Sequence, residues 1–116
     1  MNVTCELHYD SAHWLPDVPD GHKFGRMHGH TYRLQVTVSG PVRGDGFVVD
    51  FADIKTVAEP LIDQLDHHLL NDVIDNPTVE NQLLWLWTRL DIPGLTSLTL
   101  FEGLNNSATY GGEETP

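Results

Sequence analysis

The sequence has one cysteine and few basic side chains, and both shortages exclude classes of protein. Cys5 alone cannot form an intrachain disulfide, and it leaves no multi-cysteine zinc site. Six lysine and arginine residues stand against 17 aspartate and glutamate residues, so the formal net charge is -11. Because such a chain repels phosphate backbones and anionic lipid surfaces, we expect neither a nucleic acid nor a membrane as its partner.

Long apolar runs are also absent. No run approaches the roughly 20 apolar residues that a membrane-spanning helix needs, and no basic, hydrophobic leader opens the sequence. Without disulfides to indicate an oxidising compartment, we expect the protein in the cytoplasm. The length of 116 residues predicts one domain, 1–116. A domain of this size buries only about two-thirds of the surface that its unfolded chain exposes, so association with other copies would help it.

The hydrophobic pattern predicts a small α+β fold. Apolar and polar residues alternate with period two at about 2–12, 31–39 and 95–102, which predicts three half-buried strands. Proline and glycine in the segment 16–25 predict a loop after the first strand. The tail at 111–116 is polar, and we expect it to fray.

Two helices are predicted between the second and third strands. Asp50 is a candidate N-cap of a helix that ends near Leu65, and Pro60 is expected to bend it. Thr78 is a candidate N-cap of the second helix, whose apolar face ends at Leu90 before a Pro-Gly pair.

Three of the seven histidines could converge. His28 and His30 flank Gly29 in an extended segment, where alternate side chains lie on one side about 6.6 Å apart and can share one Zn²⁺. His13 ends the first strand, and antiparallel pairing would bring it to the start of the second. Three imidazoles with an open fourth position are typical of catalytic zinc. The alternative is that His13 caps its strand or packs under Trp14.

Asp66 and His67 form a second candidate group, between the two helices. An aspartate beside a histidine can orient the imidazole and raise its proton affinity, as a general acid or base near neutral pH requires. The alternative is that His67 and His68 interact with the dipole at a helix C-terminus.

Three further residues are candidate substrate contacts. Glu102 ends the last predicted strand, and a buried carboxylate can accept two hydrogen bonds from the 2-amino-4-oxo-pyrimidine edge that guanine and pterins share. A glutamate at a strand end can equally be solvated. Lys23 and Arg26 flank the histidine pair and could neutralise an anionic substrate or serve as solvated loop charges.

Taken together, these segments resemble the 6-pyruvoyltetrahydropterin synthase and 6-carboxytetrahydropterin synthase family from about Tyr9 to Glu102. The matching stretches are Ser11-Ala12-His13, Gly21 to His30, Val49-Asp50-Phe51, Leu65 to Asp72, Asn76 to Glu80, and Phe101-Glu102. The resemblance implies a T-fold, in which a four-stranded antiparallel sheet carries two helices on one face. It also implies that subunits assemble around a barrel into a homohexamer of two trimers, with active sites at subunit interfaces.

The resemblance also implies roles for site residues. The zinc ligands would be His13, His28 and His30, the acid/base pair Asp66 and His67, and the pterin-binding residues Glu102 and Thr78. Zinc would polarise the side-chain oxygens of the substrate and stabilise developing negative charge, while His67 relays protons.

Phe24 departs from the family pattern. Where the family usually has a catalytic cysteine, Phe24 can neither ionise nor accept a proton, so the usual general base is absent. Cys5 does not replace it, because eight residues of extended chain separate it from His13 by about 26 Å. Phe24 is instead expected to close the pocket or to stack on the ligand ring.

We therefore expect a zinc-dependent lyase with altered chemistry, acting on a dihydroneopterin triphosphate-like or related pterin or purine-derived substrate. Retro-aldol cleavage, epimerisation and rearrangement all suit the remaining residues, and the product could serve deazapurine, queuosine-type or specialised pterin biosynthesis. A standard 6-carboxytetrahydropterin synthase, with His67 or zinc-bound water in place of the cysteine, is a second hypothesis. A non-catalytic, zinc-containing pterin-binding or regulatory protein is a third. A cupin-like metal protein is disfavoured because a suitably spaced glutamate and a repeated strand pattern are missing.

Overall fold

The structure is a computed structural model that describes residues 1–113. Of the tail at 111–116 that is expected to fray, residues 114–116 lie outside the described residues. Neither described helix is long and apolar enough to cross a membrane.

Four antiparallel strands form one sheet in the order β1-β2-β3-β4. Their bounds are Asn2–His13 for β1, His28–Ser39 for β2, Leu95–Glu102 for β3 and Asn106–Tyr110 for β4. The alternating pattern predicted the first three strands, but it placed the start of β2 three residues too late. The hydrophobic pattern did not show β4, because Tyr110 is its only buried residue.

Two helices complete the fold. Helix α1 spans Phe51–Leu65 and helix α2 spans Val79–Trp87. Both predicted N-caps are confirmed, because the Asp50 side chain accepts a hydrogen bond from the amide of Ala52 and the Thr78 side chain accepts one from Asn81. Helix α1 continues through Pro60 without interruption.

Helix α2 ends three residues before the predicted position at Leu90. Leu90 is nevertheless buried, and its amide donates to the carbonyl of Leu86 in the turn that follows the helix. The apolar pattern therefore continued past the helix, because the turn packs against the same core as the helix.

The core lies between the helices and one face of the sheet. Helix α1 packs against β1, and helix α2 packs against β3 and β4. Tyr9 and Tyr32 stack across β1 and β2 on this face, with ring centroids 4.9 Å apart. Beyond them, where β1 ends beside the start of β2, the same face carries polar side chains instead of apolar ones. The candidate site begins there.

The segment after α1 runs along the outer edge of β1. The amide of His67 donates to the carbonyl of Asp10 at 2.6 Å, and the amide of Ala12 donates to the carbonyl of His68 at 3.3 Å. Leu69 forms a parallel bridge with Ala12. His67 itself adopts a left-handed backbone conformation, with φ at 56°, as the chain turns out of the helix. This docking fixes where the side chains of the segment project.

Candidate metal centre and active site

The structure brings His13, His28 and His30 together. His13 lies directly opposite His28 in the β1–β2 register, and His30 lies opposite Ser11 two residues along. Because paired residues of an antiparallel sheet project to the same face, all three imidazoles are directed to one side. One ring nitrogen from each lies within 4.8 Å of the others.

Hydrogen bonds to main-chain carbonyls determine the tautomers of two of these histidines. The Nδ1 atom of His13 lies 2.8 Å from the carbonyl oxygen of Pro77, and Nδ1 of His28 lies 2.7 Å from that of Arg26. A carbonyl oxygen only accepts, so each Nδ1 carries the hydrogen and each neutral ring presents an unprotonated Nε2. Carbonyl partners of this kind orient metal-binding histidines.

The two Nε2 atoms of His13 and His28 are 2.9 Å apart. Two lone pairs at that distance repel each other unless a cation or a shared proton lies between them. Burial lowers the pKa of His13, and the neighbouring imidazole of His28 lowers it further, although the Pro77 carbonyl opposes the shift. The convergence of these nitrogens with that of His30 fits a metal cation between them.

His30 supplies a third nitrogen to the same centre. Its Nε2 is buried and has no hydrogen-bond partner among the described residues. The nearest carboxylate oxygen, Oε1 of Glu102, is 3.6 Å away, which is too long for a hydrogen bond. Burial is also the main cause that lowers the pKa of His30. Three converging imidazole nitrogens, one of them buried without a hydrogen-bond partner, fit Zn²⁺, which prefers such ligands.

A cavity of about 240 Å³ opens beside this cluster. It contains three of the predicted substrate contacts, and its lining residues are His13, Leu15, Phe24, His28, Thr78, Val79, Glu80 and Glu102. The hydroxyl of Tyr32 donates to Oε2 of Glu102 at 3.4 Å. Glu80 was not among the predicted site residues. It could have been predicted to lie near the site, because it is in the first turn of the helix that Thr78 caps.

Phe24 forms one wall of the cavity. It lies in a 3₁₀ turn, Lys23–Gly25, with 41% of its surface exposed and its ring centroid 5.9 Å from that of His28. The Lys23 ammonium lies 5.2 Å from the centroid of the Phe24 ring. Arg26 lines a different cleft, together with Trp14, and neither basic residue lines the cavity beside His28.

Asp66 and His67 are paired but lie elsewhere. Nδ1 of His67 is 3.0 Å from Oδ1 of Asp66, and the same oxygen accepts a hydrogen bond from the amide of Asp10 at 2.9 Å. The hydrogen bond and charge of Asp66 raise the pKa of His67. The Asp10 amide and then His67 lower the pKa of Asp66. The two shifts favour a charged hydrogen bond between Asp66 and His67.

The acid/base pair and the histidine pocket do not form one cavity within a chain. His67 and His30 both line an open cleft of about 620 Å³ along β1, whereas neither lines the cavity beside His13 and His28. The side chain of His67 is 77% exposed. The structure brings the members of each group close together, but within one chain His67 does not line the cavity beside His13 and His28.

The chain is similar to several known proteins. The family model described as 6-pyruvoyl tetrahydropterin synthase matches residues 2–113. A dihydroneopterin monophosphate aldolase from Pyrococcus furiosus is 38% identical over 100 residues, covering 82% of this chain and 83% of that protein. A 6-carboxy-5,6,7,8-tetrahydropterin synthase from Haemophilus influenzae is 35% identical over 98 residues, covering 78% of this chain and 65% of that protein.

Similarity extends to a solved structure. The 6-pyruvoyl tetrahydropterin synthase of Caenorhabditis elegans matches with a TM-score of 0.85 and 25% sequence identity, covering 97% of this chain and 96% of that chain. The four-stranded sheet with two helices is therefore the fold of these proteins.

Proposed function

The chain belongs to the 6-pyruvoyl tetrahydropterin synthase family, and from that premise we propose that it is a zinc-dependent lyase that shortens the side chain of a dihydroneopterin-type pterin by retro-aldol cleavage. Its relatives are tetrahydropterin synthases and an aldolase, which supports an enzyme among the pterin-related lyases. The observation that carries the proposal is Phe24. It lines the cavity beside His28 at the position where the family resemblance places a catalytic cysteine.

Retro-aldol chemistry suits a pocket without a thiol. A synthase must remove a proton from carbon, which requires a strong, well-placed base. A retro-aldol cleavage begins instead by removing a proton from a hydroxyl group, which is far more acidic. The similarity to a dihydroneopterin monophosphate aldolase supports the same choice.

The cleavage balances with one proton carrier. The hydroxyl on the second side-chain carbon gives its proton to His67, and the bond between the first and second carbons breaks. The electron pair passes into the C=N bond of the dihydropterin ring, and the second carbon becomes an aldehyde. His67 then returns the proton to the first carbon, so no external oxidant or reductant is needed.

We propose that His13, His28 and His30 hold the zinc ion. Zinc bound there would polarise the side-chain hydroxyls and lower their pKa. The three neutral nitrogens, two of them oriented through Nδ1, are the support for this ligand set.

Glu102 and Phe24 would bind the pterin ring. The Glu102 carboxylate is 20% exposed in the cavity, and it can accept two hydrogen bonds from the adjacent N–H groups of the pterin edge. The exposed Phe24 ring offers a stacking surface. Thr78 lines the same cavity, and Lys23 beside Phe24 is the nearest candidate for a phosphate on the side chain.

Asp66 and His67 would act on a substrate bound to another copy. Because His67 lines the open cleft along β1 and not the cavity beside His13 and His28, we propose that the pair completes the histidine pocket of a neighbouring subunit in a homohexamer. Asp66 would hold the imidazole through Nδ1 and leave Nε2 to carry the proton.

A product assay tests the reaction type. Zinc-loaded protein is incubated separately with dihydroneopterin monophosphate and dihydroneopterin triphosphate, and the pterin products, aldehydes and released phosphates are measured. The proposal predicts a 6-hydroxymethyl dihydropterin and a two-carbon aldehyde that retains any phosphate. Release of inorganic triphosphate with no such aldehyde would instead indicate a synthase, the second candidate, and would contradict the proposal.

Two substitutions at Phe24 sharpen this assay. Phe24→Cys is expected to introduce synthase products that the wild-type protein does not form, because the thiolate restores a base beside His28. Phe24→Ser is the matched control, since it opens the pocket without adding a thiolate. Synthase activity in the wild type equal to that of Phe24→Cys would show that Phe24 does not redirect the chemistry.

A further inference from the structure

Gln82 is a fully buried polar residue that the proposed chemistry does not use. It lies in α2 with 0% of its surface exposed. Its Oε1 accepts a hydrogen bond from the hydroxyl of Tyr9 at 2.7 Å, and its Nε2 donates to the carbonyl oxygen of Pro77 at 3.0 Å. Because the Tyr9 hydroxyl occupies Oε1, the amide group presents its N–H side to Pro77.

The Pro77 carbonyl is the same one that accepts the hydrogen bond from His13. Nδ1 of His13 lies 2.8 Å from this oxygen, so one carbonyl is held by two buried donors. In the turn that carries it, Asn76 adopts a left-handed conformation with φ at 47°, which asparagine tolerates better than most residues. The adjacent Asn81 side chain holds the carbonyl of Asn76 at 2.9 Å. Asn81 and Gln82 in α2 therefore donate hydrogen bonds to two consecutive carbonyl oxygens of the turn.

We propose that Gln82, held in orientation by Tyr9, is a positioning residue of the metal centre. It fixes the Pro77 carbonyl that keeps His13 in its Nδ1–H tautomer, with Nε2 facing His28. The role in metal binding rests on the zinc centre proposed above, whereas the role in setting the tautomer concerns the protein alone.

The chemistry of histidine explains why one carbonyl matters. A neutral imidazole carries its proton on either nitrogen, and only the Nδ1–H form of His13 offers a lone pair towards His28. Without a fixed acceptor, the ring loses the contact that selects this form. Outer partners of metal-binding histidines commonly affect metal affinity by about 10- to 100-fold.

The test uses Gln82→Met, which keeps the size and removes both polar atoms. We expect the zinc dissociation constant, measured by competition with a chromophoric chelator, to rise by about 10-fold or more. In the metal-free protein, ¹⁵N NMR of the imidazole should show His13 as the Nδ1–H tautomer in the wild type and as a mixture in the variant. Tyr9→Phe, which removes only the hydroxyl, should shift both readouts in the same direction by less.

A destabilised control separates positioning from general loss of packing. Leu98→Ala creates a cavity in the buried centre of β3 and leaves the turn before α2 in place, so it should lower stability and keep zinc affinity. Unchanged affinity and tautomer in Gln82→Met would overturn the inference while leaving the zinc centre intact. A wild-type protein that binds no zinc would overturn the zinc proposal, and the tautomer measurement would still decide the role of Gln82. If Gln82→Met does not fold, Tyr9→Phe decides it.

Discussion

Single residues in this protein derive their chemistry from one or two defined contacts. In His13 and His28, the Nδ1 atom donates a hydrogen bond to a main-chain carbonyl oxygen. This contact leaves the lone pair of Nε2 as the one available for a metal ion. His67 is an exposed histidine whose pKa is raised because Asp66 accepts its hydrogen bond. The contact between Asp66 and His67 joins two side chains, so a single substitution can remove it.

Asp66→Asn tests the proton-transfer role. Asp66 raises the pKa of His67, so in the wild type the imidazole becomes a neutral base only at a higher pH. Without the carboxylate, that pKa falls, and the rising limb of the pH–rate profile is expected to move to lower pH. The maximal rate should fall by about 10-fold or more, because the weaker base is also less well oriented.

The measurement combines the pH dependence of kcat with an NMR titration of His67. Asp63→Asn, on the exposed side of α1, is the control and should leave both midpoints in place. An Asp66→Asn profile that coincides with that of the wild type would argue against proton transfer by His67.

At the scale of elements, strand pairing and helix capping place the site residues. The β1–β2 register sets His13 opposite His28, and the N-terminus of α2 brings Thr78 and Glu80 to the same cavity. The alternating and helical patterns predicted both strands and both caps, because period and capping chemistry are local properties. They missed β4 and the first residues of β2, where pairing with a neighbouring strand, and not apolar alternation, defines the strand.

Thr78→Val tests the cap of α2. The substitution keeps the shape of the side chain and removes the oxygen that accepts from the amide of Asn81 at 3.1 Å. We expect the free energy of unfolding, measured by urea titration, to fall by about 1 kcal/mol. Thr56→Val is the control, since the Thr56 hydroxyl only donates to a helix carbonyl within α1. Equal effects of the two substitutions would show that the cap contributes nothing special.

At the scale of the whole molecule, the two halves of the chemistry lie on different surfaces. The histidine pocket lies under α2, and Asp66 with His67 lies on the outer edge of β1. A chain of 116 residues can act as an enzyme with this layout if neighbouring copies combine the two surfaces. The proposed homohexamer is the arrangement in which such a short domain both completes its site and buries more of its surface.

Complementation tests this layout. His28→Ala removes the metal centre and keeps the acid/base pair, whereas His67→Ala does the reverse, so each variant alone should be inactive. Mixed oligomers formed by coexpression should regain roughly a quarter of the wild-type activity, because random association pairs an intact pocket with an intact edge at that frequency. A mixture of the His28→Ala variant with a variant that carries both substitutions should regain no activity, because no copy then has an intact histidine pocket. If the first mixture also stays inactive, the site does not combine residues from two copies.

The sequence by itself determined the local properties of this protein: strand and helix periods, the two caps, the spacing of His28 and His30, and the absence of an ionisable group at Phe24. Motif resemblance added the family. The tertiary structure decided which groups meet, because contacts such as His13 with Pro77, separated by 64 residues, depend on the path of the whole chain. It alone showed that Gln82 is buried against that carbonyl and that His67 does not line the cavity beside His13 and His28. The period of a sequence pattern indicates which face of a strand or helix a side chain occupies. Which residues that face contacts depends on how the elements pack in the folded chain.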